Sequence, residues 1–211
     1  MAPSGERAVT AAPDAVLVLG DSVPNGAVTS ARAWPRKVAD RTGADLHVHG
    51  SMGTTMVDLA DETAAALREA LPGEDREGTP GGSGRGTVAL VHAGHNDAQL
   101  SGGDPRVTEA AFRAAARTVE ERLADAAAVG RHAFLGLVPL LSLASGGVGF
   151  SDAQPDRALA YDRTLGDAVA THLPVAEPVE TWRDRTVDGV HPSEAGHAAL
   201  AERVTAWLED D

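Results

Sequence analysis

Short apolar runs alternate along this chain with longer stretches in which apolar residues recur at every third or fourth position. The runs at 15–19, 45–49, 87–93, 132–138 and 175–179 read as strands. The stretches between them predict helices over about 34–41, 54–71, 107–129 and 155–172. Ser193 caps a last helix, which carries Ala199, Leu200, Val204 and Leu208 on one face. Most of the strands are continuously apolar rather than alternating, so both faces of their sheet must be covered. The expected fold is α/β, a three-layer α/β/α sandwich around a five-stranded parallel sheet. Right-handed crossovers favour the flavodoxin-like strand order 2-1-3-4-5. Residues 1–13 read as a loose polar leader and 14–211 as a single domain. The segment 72–86, with six glycines and two prolines, reads as a surface loop.

In such a sheet, chemistry gathers beyond the carboxyl ends of the strands. Four loops share that rim. They hold Gly20-Asp21-Ser22, Gly53, Gly94-His95-Asn96-Asp97 and Asp188-Gly189-Val190-His191-Pro192. Acyl transfer by a serine needs a nucleophile, a base, a group that orients the base, and donors for the oxyanion. Ser22, His191 and Asp188 can fill the first three roles. The backbone N–H groups of Ser22 and Gly53 and the side-chain amide of Asn96 can serve as the donors. Gly53 has no Cβ, so a reacting carbonyl can come close to it.

Those blocks resemble the SGNH (GDSL-type) hydrolase family over nearly the whole chain. Gly20-Asp21-Ser22 is similar to the family's nucleophile block, with Val23 where leucine is common. Gly50-Ser51-Met52-Gly53-Thr54-Thr55 with Asp58-Leu59 resembles the second block, and Gly94-His95-Asn96-Asp97 the third. The terminal block is matched by Asp188-Gly189-Val190-His191-Pro192-Ser193-x-x-Gly196. The resemblance implies a serine hydrolase that cleaves esters or thioesters through an acyl-serine, with catalytic Ser22, Asp188 and His191. It implies an oxyanion hole of Ser22, Gly53 and Asn96, and no cofactor. It also implies that the carbonyl near position 189 assists the imidazole. A carbohydrate O-deacetylase or an acyltransferase is the alternative on the same site. A non-catalytic ligand-binding module on this fold is the alternative of another class.

Further residues carry weaker signals. His95 either touches substrate or faces solvent. Asp21 reads as a turn residue and Asp97 as a brace for the Asn96 loop. Trp182 is close enough to the last block to line the site. Leu140, Leu141 and Phe150, in the apolar loop after the fourth strand, read as a wall for a short or medium acyl chain. His197 reads as a surface group. His47 and His49 share a strand face, but without a third placed ligand they make no metal site. No Gly-x-x-x-x-Gly-Lys-Ser/Thr and no Gly-x-Ser-x-Gly occurs.

Composition narrows the partners. The chain has 211 residues, no cysteine and a net charge of -13, with Lys37 as its one lysine. Disulfides and thiolate chemistry are excluded. Nucleic acid and anionic membranes both need a positive surface, so neither is expected as a partner. The expected partner is a small-molecule ester, and the expected location is cytoplasmic. Screening should relieve the self-repulsion of so many carboxylates. The melting temperature is therefore expected to rise between low salt and molar KCl; a flat profile would refute the screening argument.

Overall fold

Along the first strand, β1 (Ala15–Gly20), Leu17 and Leu19 face one way and Val16 and Val18 the other, and all four are buried. A period of two thus sends one short run into two cores. The computed structural model describes residues 12–71, 86–101, 104–141 and 154–210. After β1 come α1 (Trp34–Thr42), β2 (Asp45–His49), α2 (Met56–Ala70), β3 (Thr87–His92) and a single helical turn, α3 (His95–Ala98). Two-residue strands β4 (Leu100–Ser101) and β5 (Asp104–Pro105) pair with each other. Then follow α4 (Glu109–Asp125), β6 (Val129–Leu135), α5 (Gln154–Gly166), β7 (His172–Leu173), a 3-10 turn at Val179–Arg183, and α6 (Glu194–Glu209).

The large sheet is parallel and runs β2-β1-β3-β6-β7. Counted within that sheet alone, this is the order 2-1-3-4-5. Leu17, Leu19, Ala89, Val91 and Phe134 pack with Met56, Leu59, Phe112, Tyr161 and Leu165 from α2, α4 and α5. Val16, Val18, Val88, Leu90 and Leu135 pack with Trp34, Val38, Leu200 and Val204 from α1 and α6. The three layers follow directly. Each fully buried Leu or Val side chain contributes about 1.5–3 kcal/mol.

Several boundaries differ from the sequence expectation. The last strand is not 175–179 but His172–Leu173, because Pro174 has no N–H for a ladder. Val179 instead opens the 3-10 turn. The fourth sheet strand starts at Val129 rather than 132 and ends before Gly136, where the Leu137 N–H leaves the ladder for Asp162 Oδ1 at 2.9 Å. Helix α5 stops at Gly166, six residues short of the expected end. His197 is not a surface group: it is fully buried, and its Nδ1 accepts the Trp34 N–H at 3.3 Å. Ala33 offers α1 no side-chain cap, so a histidine from α6 satisfies this first orphan donor. Burial pushes its pKa down to about 4, which keeps the imidazole neutral and able to accept.

Two close contacts hold the loops at the carboxyl ends of the strands together. At Gly50 (φ 113°) a Cβ would lie 1.8 Å from the Gly20 carbonyl oxygen, so the loops after β1 and β2 touch backbone to backbone. Asp97, fully buried on α3, accepts the Met56 N–H on both carboxylate oxygens, at 3.1 and 2.9 Å, and so fixes the start of α2.

Gly50→Ala should cost about 3 kcal/mol or more, from positive-φ strain and backbone overlap together. A shift in the urea midpoint at unchanged slope measures it. Burial pushes the Asp97 carboxyl up to about 7 against the pull of the Met56 N–H. Its folded pKa is raised, so the folded state keeps a proton that the unfolded state releases above about 4. Its contribution is complete below that value and is lost as pH rises through about 7. Asp97→Asn should therefore flatten the stability profile between pH 5 and 7, by at most about 1 kcal/mol per pH unit. Parallel slopes for the two proteins would refute the assignment.

Candidate active site

The loop after β1 is built around a buried carboxylate. Asp21 Oδ1 accepts the Val23 N–H at 2.9 Å, and Oδ2 lies 2.8 Å from His95 Nδ1. His95 Nε2 accepts the Val138 N–H at 2.9 Å. That nitrogen carries no hydrogen, so Nδ1 must be the donor to Asp21. Burial pushes the Asp21 carboxyl up, but His95, with help from the Val23 N–H, draws it below the usual carboxylate range. Ser22, 6% exposed, stands on this support. Its carbonyl accepts the Ala27 N–H at 3.0 Å, so the chain folds back past it. His95 neither faces solvent nor is placed to touch a substrate; it is 1% exposed and links three loops. The expected turn role of Asp21 agrees with its hydrogen bonds.

The last loop turns tightly from Thr186 to Pro192, which form an isolated antiparallel bridge. Asp188 Oδ1 accepts the backbone N–H groups of Val190 and His191 at 3.0 and 2.8 Å. Asp188 Oδ2 lies 2.7 Å from His191 Nδ1, and His191 Nε2 lies 3.1 Å from Ser22 Oγ. Burial raises the Asp188 carboxyl, yet the bonds from the His191 ring, its N–H and the Val190 N–H outweigh that and hold it below the ordinary value. An ionised Asp188 only accepts, so the His191 hydrogen sits on Nδ1 and the Nε2 lone pair faces the serine hydroxyl. Structure thus brings together Ser22, His191 and Asp188, residues up to 169 positions apart. The Gly189 carbonyl accepts the Leu141 N–H at 2.8 Å, tying this loop to the one after β6.

Gly53 and Asn96 meet at the third corner. Gly53 has φ 88°, and among the described residues beyond its chain neighbours a Cβ there would meet Arg106 Nη2 at 3.9 Å. Asn96, 6% exposed, donates from Nδ2 to the Thr54 carbonyl at 2.9 Å. Arg106 donates to the Gly53 carbonyl at 2.9 Å and to Asn96 Oδ1 at 3.4 Å. Sequence reasoning passed Arg106 over, because it lies outside every block and an exposed arginine carries no signal by itself.

Other expected lining residues separate. Trp182 is 1% exposed and donates from Nε1 to the Val175 carbonyl at 2.9 Å, so it belongs to the core. Its turn instead presents Val179, Glu180 and Arg183 to a cavity of about 750 Å³ that Asp188, Gly189 and Leu141 also line. Leu140 is fully buried among the core residues and cannot line a site, whereas Leu141 does. Phe150 lies outside the described residues. His47 is exposed and His49 Nε2 lies 3.0 Å from Glu62, and among the described residues no group of three His, Asp or Glu could hold a metal ion. No helix among them is long and apolar enough to cross a membrane.

Three comparisons bear on this geometry. Residues 18–199 match the model of the GDSL-like lipase/acylhydrolase family. Curated proteins gave no match in sequence. Among solved structures, the chain is similar to LAE5, an alpha/beta hydrolase enzyme from the metagenome of Lake Arreo, Spain, with TM-score 0.67, 17% identity, and coverage of 94% of this chain and 96% of that one. It is similar to a GDSL-like lipase from Bacteroides thetaiotaomicron, with TM-score 0.62, 16% identity, and coverage of 93% and 88%. It is also similar to a catalytic mutant of Axe2, an acetylxylan esterase from Geobacillus stearothermophilus, with TM-score 0.66, 16% identity, and coverage of 94% and 95%. At these identities the structures establish the three-layer fold, and the family model, which spans all four blocks, establishes more: this chain belongs to the GDSL-like lipase/acylhydrolase family and is an ester-hydrolysing enzyme.

Proposed function

We propose that this enzyme cleaves carboxylic esters through a covalent acyl-serine at Ser22. The observation that carries the reading is the unbroken line from Asp188 Oδ2 to His191 Nδ1 at 2.7 Å and from His191 Nε2 to Ser22 Oγ at 3.1 Å. Ser22 Oγ attacks the ester carbonyl carbon while His191 Nε2 takes its proton. Asp188 keeps the ring in the tautomer that can accept, and stabilises the imidazolium that forms. The carbonyl oxygen becomes an oxyanion. The N–H groups of Ser22 and Gly53 and the Asn96 amide receive it. Collapse breaks the bond to the alkoxy oxygen, and His191 returns the proton to the departing alcohol. Water, deprotonated by His191, then releases the acid and restores Ser22.

The cavity beside Asp188 bears on the substrate. Leu141, Pro155, Val179 and Val187 give it apolar surface, while Glu180, Arg183 and Thr186 give it hydrogen-bonding groups. A small acyl ester of a polar alcohol suits this mixture, which favours O-deacetylation of a carbohydrate as the second reading. The name of the acetylxylan esterase with a similar fold points the same way.

The residues should act as one device. Ser22→Ala, His191→Ala and the double variant should each lower kcat on p-nitrophenyl acetate by about 10⁴-fold or more, with losses that do not multiply. A fluorophosphonate should label the wild type and leave Ser22→Ala unlabelled. Wild-type turnover in Ser22→Ala would overturn the nucleophile assignment, and an unlabelled wild type would favour a non-catalytic binding module.

A further inference from the structure

Arg106 is held in place by its own backbone. Its N–H donates to the Gln99 carbonyl at 2.7 Å, and the next residue's N–H, on Val107, reaches the Asp97 carbonyl at 3.4 Å. Both bonds end on or beside the helical turn that carries Asn96. The guanidinium then spans two loops, with one nitrogen on the Gly53 carbonyl at 2.9 Å and the other on Asn96 Oδ1 at 3.4 Å. These are the two residues outside the nucleophile loop that the mechanism above assigns to the oxyanion.

A guanidinium only donates, whereas a side-chain amide has one acceptor and two N–H groups. Contact with Arg106 therefore decides which end of the Asn96 amide is oxygen, since a flipped amide would set donor against donor. One N–H is committed to the Thr54 carbonyl. The other is the one left for the substrate. Charge adds to this, because a cation on Oδ1 draws density from the amide and strengthens its N–H as a donor. Gly53 gains something different. With φ 88° and no side chain, little but its neighbours restrains the peptide that follows it. A bond from Arg106 to its carbonyl fixes that peptide and the chain direction on either side.

We infer that Arg106 is a positioning residue of the oxyanion hole, orienting the Asn96 amide and the Gly53 backbone together. The inference rests on the acyl-serine reading above. An ordinary surface role is the alternative. Arg106 is exposed, and its charge helps lower the Asp58 carboxyl behind the Thr55 hydrogen bonds. An exposed pair of that kind shifts stability slightly and leaves turnover alone.

The test is the rate of p-nitrophenyl acetate hydrolysis by Arg106→Ala, Arg106→Lys, Asn96→Ala and the double variant Arg106→Ala/Asn96→Ala. Arg106→Ala should lower kcat roughly 10–100-fold with KM within about twofold, short of the roughly 10²–10³-fold loss from deleting a donor outright. Arg106→Lys, which cannot span both acceptors, should recover only part of the loss. The double variant should fall below Asn96→Ala by less than the factor that Arg106→Ala costs alone, because only the Gly53 contribution is then left to lose. Added guanidinium ion, below denaturing concentration, should raise kcat of Arg106→Ala and leave Asn96→Ala unchanged. Losses that multiply, a KM effect at constant kcat, or wild-type kcat in Arg106→Ala beside a slow Asn96→Ala would each overturn the inference alone. Wild-type kcat in Asn96→Ala would overturn the oxyanion reading and this inference with it.

Discussion

A carboxylate with no exposed surface, Asp21, sits beside Ser22, and the loops after β3 and β6 are tied to it through His95. Asp21 cannot stay ionised in that position without donors. The Val23 N–H and the His95 ring supply them. Because His95 gives its one hydrogen to Asp21, its other nitrogen is free to accept the Val138 N–H. The loops after β1, β3 and β6 are thus joined through one imidazole. A cationic or differently tautomeric His95 would break one bond or the other. Below this layer the environment keeps imidazoles uncharged. His92, whose pKa burial pushes down to about 3, accepts the Trp34 indole N–H at 3.1 Å and lies edge-on to His95. Asp21 is therefore flanked by the neutral rings of His95 and His92, and each of its carboxylate oxygens has a donor.

How much of this was legible follows from the range of each interaction. The strands, their parallel pairing and the three layers come from local apolar periodicity, which the sequence displays openly. The Ser22, Asp188 and His191 set was legible because each residue comes in a short block with its own turn chemistry. Asp188 and His191 share one turn, so their contact is local as well. What stayed hidden was long-range and polar. Nothing near His95 or His197 marks them as buried, since their donors, the Val138 N–H and the Trp34 N–H, are backbone groups on other elements. Trp182 was misplaced because proximity in sequence to Asp188 does not say which side of a 3-10 turn faces the cavity. Leu140 and Leu141 were read together, yet adjacent residues point opposite ways, one into the core and one into the cavity.

Helix ends show how the same chain meets its obligations with different means. Thr55 and Asp58 cap α2 reciprocally, Thr108 caps α4 and Ser193 caps α6, the last of these expected from the sequence. Helix α1 has no such residue. It borrows His197 for the Trp34 N–H, and Glu194 for the Arg32 N–H and the Lys37 side chain. The first turn of α6 thereby fixes α1 as well as following His191. His191 thus enters on a segment that is locked at both ends, by Asp188 before it and by the α1 contacts after it.

The 169-residue separation between Ser22 and His191 also has a meaning in time. Chains leave the ribosome from the amino end, so Ser22 and the loops of Gly53 and Asn96 emerge well before His191. Until the turn holding Asp188 and His191 has emerged and packed against β1, Ser22 is an ordinary hydroxyl with no proton acceptor beside it. On the acyl-serine mechanism proposed above, reactivity toward esters is switched on late, by completion of the tertiary structure. On that mechanism, a partly synthesised or proteolytically shortened chain that ends before Asp188 would hold Ser22 yet spare the esters around it.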